Sequence, residues 1–534
     1  MSTAATLYQG YGERREQIMR ARFRNTALPA AMLLCVVLGG CDLAPPSVGE
    51  RTPTIPSIAT STPPAVRPET VREPAVAGSF YPDDPENLAT MVDSFLEFVE
   101  DTDGEPIALI VPHAGYVYSG WVAAYAFKEL EGVSYDTIVI VGPNHRHATF
   151  QDISVYAQGA FRTPLGLIPI DEEVAQALLD MDERNVFEPD VHAAEHSIEV
   201  ELPFLQRIYQ DLEIVPIVIG QPTEENIEIL SEALVKVLGD RKALIIASSD
   251  MSHYPPYDEA VRVDSATLAA METMDPLAVS STIRESMTSG VPNLGTCLCG
   301  QGPVLTAMKV AQRLGANQVT VLKYANSADS PLVTGDRSQV VGYGAVMFWR
   351  YEPPQLSAAD KDRLLTIARE SIAQYLLDGT MPAFTITEPN LLRNSGAFVT
   401  LEQGDDLRGC VGHILARQPL HVTVQQAAVS AATEDPRFPP LAPEELEQIT
   451  IEISVLSPLK RVTSTQSIEV GRHGVVIVAE GTSGLLLPQV ASEEGWSREE
   501  FLEAVSRKAG LPKDAWRQGA ALYAFTAIVF GEAS

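Results

Sequence analysis

The sequence predicts an α/β domain with a mostly parallel sheet, followed by a smaller α+β domain. Three observations carry that expectation. Between residues 75 and 350 short apolar runs alternate with helical patterns, the written form of parallel strands joined by helices. Histidines stand directly behind three of those runs. The texture then breaks at Tyr351-Glu352-Pro353-Pro354, where a run ending Val341–Trp349 gives way to a long helix and short strands interrupted by Gly and Pro.

Taken in order, the first element is not part of either fold. Arg14, Arg15, Arg20, Arg22 and Arg24 precede the apolar stretch from Ala27 to Leu38, which ends in Leu38-Gly39-Gly40-Cys41. A basic region, a short apolar core and small residues before a cut point describe a secretory signal over 1–40, too short for a hydrocarbon span of ~30 Å. With Cys41 at the cut, the segment resembles a bacterial lipoprotein signal, which implies lipid on the Cys41 thiol and an exported, envelope-anchored protein. The alternative is a chance apolar stretch on a cytoplasmic chain. Residues 41–74 form a tether, since 45–74 hold eight Pro and eight Ser or Thr and offer no cluster to bury.

The globular remainder divides at 75–350 and 355–534. Overall the 534 residues are 45% apolar and 20% charged, which excludes both a disordered chain and a polytopic membrane protein. Seventy acidic against 38 basic side chains give −32, so nucleic acid is excluded as a partner and small ligands, metals or proteins are expected. Five cysteines exclude a disulfide scaffold.

In the first domain strands are expected at 107–111, 137–141, 214–219, 243–247, 319–322 and 344–348. Helices are expected near 85–100, 171–180, 196–209, 223–238, 256–273 and 302–313. His113 follows the first strand, His145 the second, and Asp250 with His253 the fourth. Ligands of open α/β sheets bind at the carboxyl ends of strands, so these loops should converge on one crevice. Neutral imidazoles with an open position suit Zn, Fe(II) or Cu. Cys299, in Cys297-Leu-Cys-Gly-Gln-Gly-Pro303, sits before a helix whose unpaired N–H groups favour a thiolate, making it a soft ligand or a nucleophile. In an oxidising compartment Cys297 and Cys299 could instead close a strained disulfide. His192-Ala-Ala-Glu195-His196 also spells the HxxEH pattern of a zinc peptidase, which on a helix would place both imidazoles on one face.

Ala77-Gly-Ser-Phe-Tyr81, His113-Ala-Gly-Tyr-Val-Tyr-Ser-Gly120, Gly142-Pro-Asn-His145, Glu195-His-Ser-Ile-Glu199, Ser248-Ser-Asp250 with His253, and Cys299-Gly300 occur in the order seen in the Memo family (AmmeMemoRadiSam system protein B). That resemblance implies a fold like the class III extradiol dioxygenases and one transition metal on His113, His145, His253 and Cys299. Asp250 and His196 would stand beside it as acid–base groups. A Cys in place of the dioxygenase carboxylate favours Fe(II) or Cu(I), with Zn still open. The expected function is a redox enzyme on a small aromatic or phenolic substrate. The alternative is a non-catalytic metal carrier or interaction scaffold.

The second domain predicts helices at 356–377, 419–432 and 497–509 and strands at 396–402, 449–456, 474–479 and 522–530. Leu407-Arg-Gly-Cys-Val-Gly-His413, Asp435-Pro-Arg-Phe-Pro-Pro440, Ile453-Ser-Val-Leu-Ser-Pro458, Gly471-Arg-His-Gly474 and Leu486-Leu-Pro-Gln-Val490 resemble the AMMECR-type domain (AmmeMemoRadiSam system protein A). Arg408, Cys410 and His413 form its candidate site, either an activated thiol or a buried Cys lining tight turns. The family pair also implies a radical SAM partner, which must be another chain because no C-x-x-x-C-x-x-C motif occurs here. The anchor is directly testable. Cys41→Ser is expected to release the protein from the membrane fraction or leave it unprocessed, and wild-type protein found soluble with residues 1–40 intact would sink the lipoprotein reading.

Overall fold

The computed structural model describes residues 70–99, 104–404, 406–414, 418–462, 464–479 and 482–532. The signal, Cys41 and all but the end of the tether lie outside them. Among the described residues no helix is long and apolar enough to cross a membrane.

The apolar runs of the first domain become β1 (Pro106–Val111), β2 (Thr137–Pro143), β3 (Ile214–Ile219) and β4 (Ala243–Ser248). They lie side by side in the order β1-β4-β2-β3, every neighbour pair parallel. Apart from the half-buried Ile107 these residues are buried, as in a sheet covered on both faces, which explains why they read as unbroken apolar runs. Outside this centre β5 (Gln318–Asn326) and β6 (Gly342–Trp349) pair antiparallel with each other, and β6 pairs antiparallel with β1. Across the sheet Ile153–Val155 runs antiparallel to β3 and carries Asn185–Val186 at the edge. The sheet is therefore parallel at its centre, where the candidate residues emerge, and mixed at its flanks.

Several helices depart from the periodicity, Pro189–Ala193 and Pro276–Thr288 among them. Tyr116–Lys128 was not expected, because nine of its thirteen residues are buried and no polar stripe marks a helical period. The helix expected over 196–209 begins at Leu202, with Pro203 in its first turn. Residues 195–198 are thereby left outside the helix, which matters for the site.

The first domain also starts before residue 75. Val71–Arg72 pairs with Ala160–Thr163, and the Arg72 guanidinium is buried against Glu199 while donating to the carbonyls of His192, at 3.0 Å, and Glu195. Glu199 also accepts the backbone N–H groups of Ala75 and Val76 at 2.7 and 3.0 Å. Composition placed Arg72 in the tether because its partner lies 127 residues away.

In the second domain Ala397–Gln403, Asp406–His413, Thr450–Leu456 and Ala527–Gly531 form one antiparallel sheet, with the helices Ala358–Asp378 and Leu420–Thr433 over it. Lys460–Arg461, Ala521–Phe525, Gly474–Ala479 and Thr482–Leu486 form a second, against the helix Arg498–Lys508. The single strand expected over 522–530 is two strands in different sheets, split at Thr526, whose N–H binds Ser457 Oγ at 2.9 Å. Asp406–His413 is a strand rather than the tight turns its glycines suggested. A Cβ on Gly409 would fall 2.2 Å from the Ala431 carbonyl, so Gly is required for close approach to the helix, not for a positive φ.

Breaking a buried ion pair on one side leaves an uncompensated charge. Arg72→Met is therefore expected to destabilise the first domain by about 3–5 kcal/mol, read as a fall in its denaturation midpoint. A change within error would show that residue 72 belongs to the tether after all.

Candidate functional site

Because β1, β4 and β2 are neighbours with the same direction, the residues after them arrive at one end of the sheet. His113 follows β1, His145 follows β2, and Asp250 and His253 follow β4. To these the loop 195–198 adds His196, left free by the late start of the next helix. The rings of His113, His145 and His196 stand with centroids 4.9–5.4 Å apart. Their ligand atoms all lie within 4.8 Å of one another.

Each of the first two imidazoles has one nitrogen committed elsewhere. His145 Nδ1 lies 3.0 Å from Glu195 Oε1, and the backbone N–H of His145 donates to Oε2 at 2.7 Å. Glu195 Oε1 also accepts the N–H groups of His196 and Ser197, both at 2.9 Å. Burial alone would raise this carboxyl, but the hydrogen bonds and charge of His145 outweigh it and hold Glu195 well below the usual carboxylate range. An ionised carboxylate only accepts, so His145 Nδ1 carries a proton, which in the neutral ring leaves the lone pair on Nε2.

His113 is 2% exposed, and its Nδ1 lies 2.8 Å from Ser248 Oγ. That hydroxyl has acceptors for its single proton in Ser197 O at 2.7 Å and Glu201 Oε1 at 2.8 Å. His113 Nδ1 therefore donates, and its bare Nε2 faces Cys299 Sγ at 3.3 Å. His196 Nδ1 and His253 Nε2 are buried and make no hydrogen bond. Burial pushes His113 well below the ordinary imidazole range and His196 and His253 down to about 4, so all three are neutral at pH 7, the form that binds a metal.

Asp250 is 4% exposed and accepts the His113 N–H at 2.9 Å. Burial pushes it up to about 7, and its Oδ2 lies 3.9 Å from His253 Nε2. The Cys299 thiol accepts the Asp250 N–H at 3.2 Å. Burial first and the Asp250 carboxyl second push this thiol up, which corrects the expectation of a helix-stabilised thiolate: desolvation outweighs the partial charge of a helix end. Cys297 and Cys299 are both free thiols, and Cys297 Sγ turns towards Ile283 O instead.

The structure thus gathers His113, His145 and His196, sets Cys299 Sγ against His113, and places His253 beside Asp250. His196, expected as an acid–base group, stands among the imidazoles themselves. The zinc-peptidase spacing is not realised. The helix Pro189–Ala193 ends before Glu195, and His192 turns away to Ser154 Oγ at 3.0 Å, edge-on to Tyr156. Sequence reasoning also missed Asp264, whose carboxyl accepts the N–H and hydroxyl of Ser252, each at 2.9 Å, and the Tyr324 hydroxyl at 2.8 Å. It fixes Ser252, the residue before His253.

In the second domain Arg408 is paired with Glu445 at 3.0 Å. Cys410 and His413 lie on opposite faces of their strand, since Cys410 pairs with Thr400 and His413 with Ala397 across a regular register. The three residues do not form one site.

A family model described as Memo-like protein matches residues 72–347, and one described as AMMECR1 matches 365–530. Curated relatives called MEMO1 family protein include one from Methanobrevibacter smithii, 37% identical over 292 residues, and one from Aquifex aeolicus, 39% identical over 281 residues. Each match covers 52% of this chain and 99% of the relative. A solved structure of an uncharacterised protein from Pyrococcus horikoshii is 39% identical, covering 32% of this chain and 90% of that one, with a TM-score of 0.31.

Asp264 gives the first domain a defined pH response. Burial raises it from 3.8 to about 7, so between those values the folded state holds a proton the unfolded chain has lost. Its contribution to stability is complete below pH 4 and is lost as pH rises through 7. Asp264→Asn has no such proton, so the stability difference between variant and wild type is expected to shift in favour of the variant from pH 5 to pH 8, measured by denaturant unfolding. A pH-independent difference would show Asp264 to be ionised in the fold.

Proposed function

Because the chain belongs to the Memo family and carries an AMMECR1 domain behind the Memo domain, we propose that its histidine crevice is a transition-metal centre acting on a small aromatic or phenolic molecule. The observation that carries this reading is the commitment of Nδ1 on His113 and His145 to Ser248 and Glu195. A ring fixed in this way presents the other nitrogen as a ligand in one tautomer and one orientation. The buried Nε2 of His253, which makes no hydrogen bond, fits the same purpose, since such an atom is costly unless something binds it, while His196 Nδ1 lies 3.4 Å from Glu195 Oε1. His113, His145 and His196 would hold the ion, with Cys299 adjoining and His253 across from Asp250. The soft sulfur favours Fe(II) or Cu(I) over harder ions, and Zn also suits the set.

When bound, such a metal supplies Lewis acidity or one-electron chemistry. The chain's own contribution is proton handling and shape. Asp250, pushed up to about 7, is divided between acid and base at neutral pH, which suits a group that takes a phenolic proton and returns it. His145 is the route in, its side chain 28% exposed while His113 is closed off beneath it. A metal carrier is the second reading, favoured by Cys299: with its sulfur 3.3 Å from His113 Nε2, it would close a fourth position. Tether and signal complete the reading: an envelope-anchored protein whose crevice meets its ligand outside the cytoplasm.

Metal content of protein purified without a histidine tag tests the centre. His113→Ala, His145→Ala and His196→Ala are each expected to lose metal with a nearly unchanged apo melting profile, since the core is apolar strands, and Cys299→Ser to lose it only where the sulfur closes the fourth position, as in the carrier reading. Glu195→Gln should weaken binding about 10- to 100-fold by releasing His145, while His192→Ala keeps the metal. Equal metal content in wild type and His145→Ala would remove the proposal.

A further inference from the structure

Three buried glutamates stand close together in the chain behind the crevice, and two of them have evident partners. Glu195 accepts three backbone N–H groups and the His145 ring, and Glu199 is paired with the Arg72 guanidinium. Glu201 has neither kind of partner. It is 1% exposed, in the tight turn Glu199–Glu201 before the helix at Leu202, and among the described residues its side chain makes one hydrogen-bonding contact, between Oε1 and Ser248 Oγ at 2.8 Å. The Tyr116 hydroxyl is spent on the Val200 carbonyl at 2.6 Å.

Counting protons at Ser248 decides the state of this carboxyl. Three atoms meet the hydroxyl oxygen at hydrogen-bond distance: His113 Nδ1 at 2.8 Å, Ser197 O at 2.7 Å and Glu201 Oε1 at 2.8 Å. The hydroxyl has one proton to give, and Ser197 O brings none. Ser197 O therefore takes the hydroxyl proton, and His113 Nδ1 and Glu201 must each bring their own or face a buried oxygen with a lone pair. An ionised Glu201 would also be a buried charge without a cation, which is costly. Burial first, opposed by the Ser248 hydrogen bond and aided by the Asp250 carboxyl, pushes Glu201 well above the usual carboxylate range.

We propose that Glu201 is a protonated acid at neutral pH and a positioning residue for the metal centre: its O–H donates to Ser248 Oγ, directs the Ser248 proton to Ser197 O, and so keeps Nδ1–H of His113 on the hydroxyl and Nε2 towards the crevice. The inference rests on the reading of the crevice as a metal centre. Because Ser197 follows His196 in the chain, one hydroxyl ties His113 to the loop of His196, and Glu201 sets which way that hydroxyl points.

Two measurements on the full chain, purified without a histidine tag, test the proton and the positioning separately. Subtracting the infrared spectrum of Glu201→Gln from that of wild type at neutral pH is expected to leave the C=O stretch of one protonated carboxyl, and its absence overturns the proposal. Zn(II) affinity, read by competition with a chromophoric chelator, reports the positioning. Glu201→Leu, which removes the donor, is expected to weaken Zn(II) about 10- to 100-fold, while Glu201→Gln, whose amide N–H donates where the acid did, stays within about threefold of wild type. In a Ser248→Ala background Glu201→Leu should cost no more than about threefold, because the path to His113 is gone. Wild-type affinity in Glu201→Leu, an equal loss in Glu201→Gln, or the full loss persisting in the Ser248→Ala background overturns the positioning role. Wild-type protein that keeps the infrared band and binds no Zn(II) removes the metal reading itself, and the positioning role with it.

Discussion

The crevice depends on one carboxylate. Glu195 accepts four hydrogen bonds within a single loop environment, two from His145 and one each from the N–H groups of His196 and Ser197. Through them it fixes the tautomer of one imidazole, the position of a second, and the path of the backbone between the short helix Pro189–Ala193 and Leu202. A buried charge of this kind survives because both oxygens accept hydrogen bonds, three on Oε1 and one on Oε2. Behind it Arg72 holds the same loop from the outside, through the carbonyls of His192 and Glu195 and the carboxylate of Glu199. The loop is thus clamped between a buried cation and a buried anion.

The electrostatics of the site follow from burial more than from pairing. His113, His196 and His253 are neutral because water is excluded, and Cys299 and Asp250 hold their protons more tightly for the same reason. Unprotonated imidazole nitrogens, a thiol and the Asp250 carboxyl thus surround one ionised group, Glu195, whose charge is taken up by its hydrogen bonds. A cation entering the crevice would relieve the desolvation of each group at once, which is why the same arrangement reads as a metal centre rather than as an ion-pair network.

The two domains treat their chemistry-bearing residues in different ways. In the first, parallel strands deliver loops to one end, so function collects where the sheet's direction sends it. In the second, Cys410 sits within a strand, and Asp435 and Arg437 reach its backbone from the loop after the following helix. Two glycines flank that cysteine in both the sequence and the fold, but they admit neighbouring backbone and an aromatic ring rather than making turns. The residues of the motif around Cys410 are committed elsewhere, Arg408 to Glu445 and His413 to the opposite face of the strand.

What the sequence by itself determined is what short-range periodicity can carry. The apolar runs at 107–111, 137–141, 214–219 and 243–247 became the central strands because residues buried on both faces have no alternative to an apolar side chain, and His113, His145 and His253 were legible because they stand directly behind those strands. The ordered motifs fixed the family of both domains. Tertiary structure alone decided the rest, because the deciding partners are remote in sequence: Glu195 is 50 residues from His145, Ser248 is 135 from His113, and Cys299 is 186 from His113. The same distance hid Arg72 in a Pro-rich stretch and made HxxEH look like a helix face. Whether His196 belonged with the imidazoles and His192 did not was settled by where one helix ends and the next begins. A hydrogen bond between distant residues leaves no mark on the local composition of either, so only the folded chain shows which nitrogen is tied and which is free.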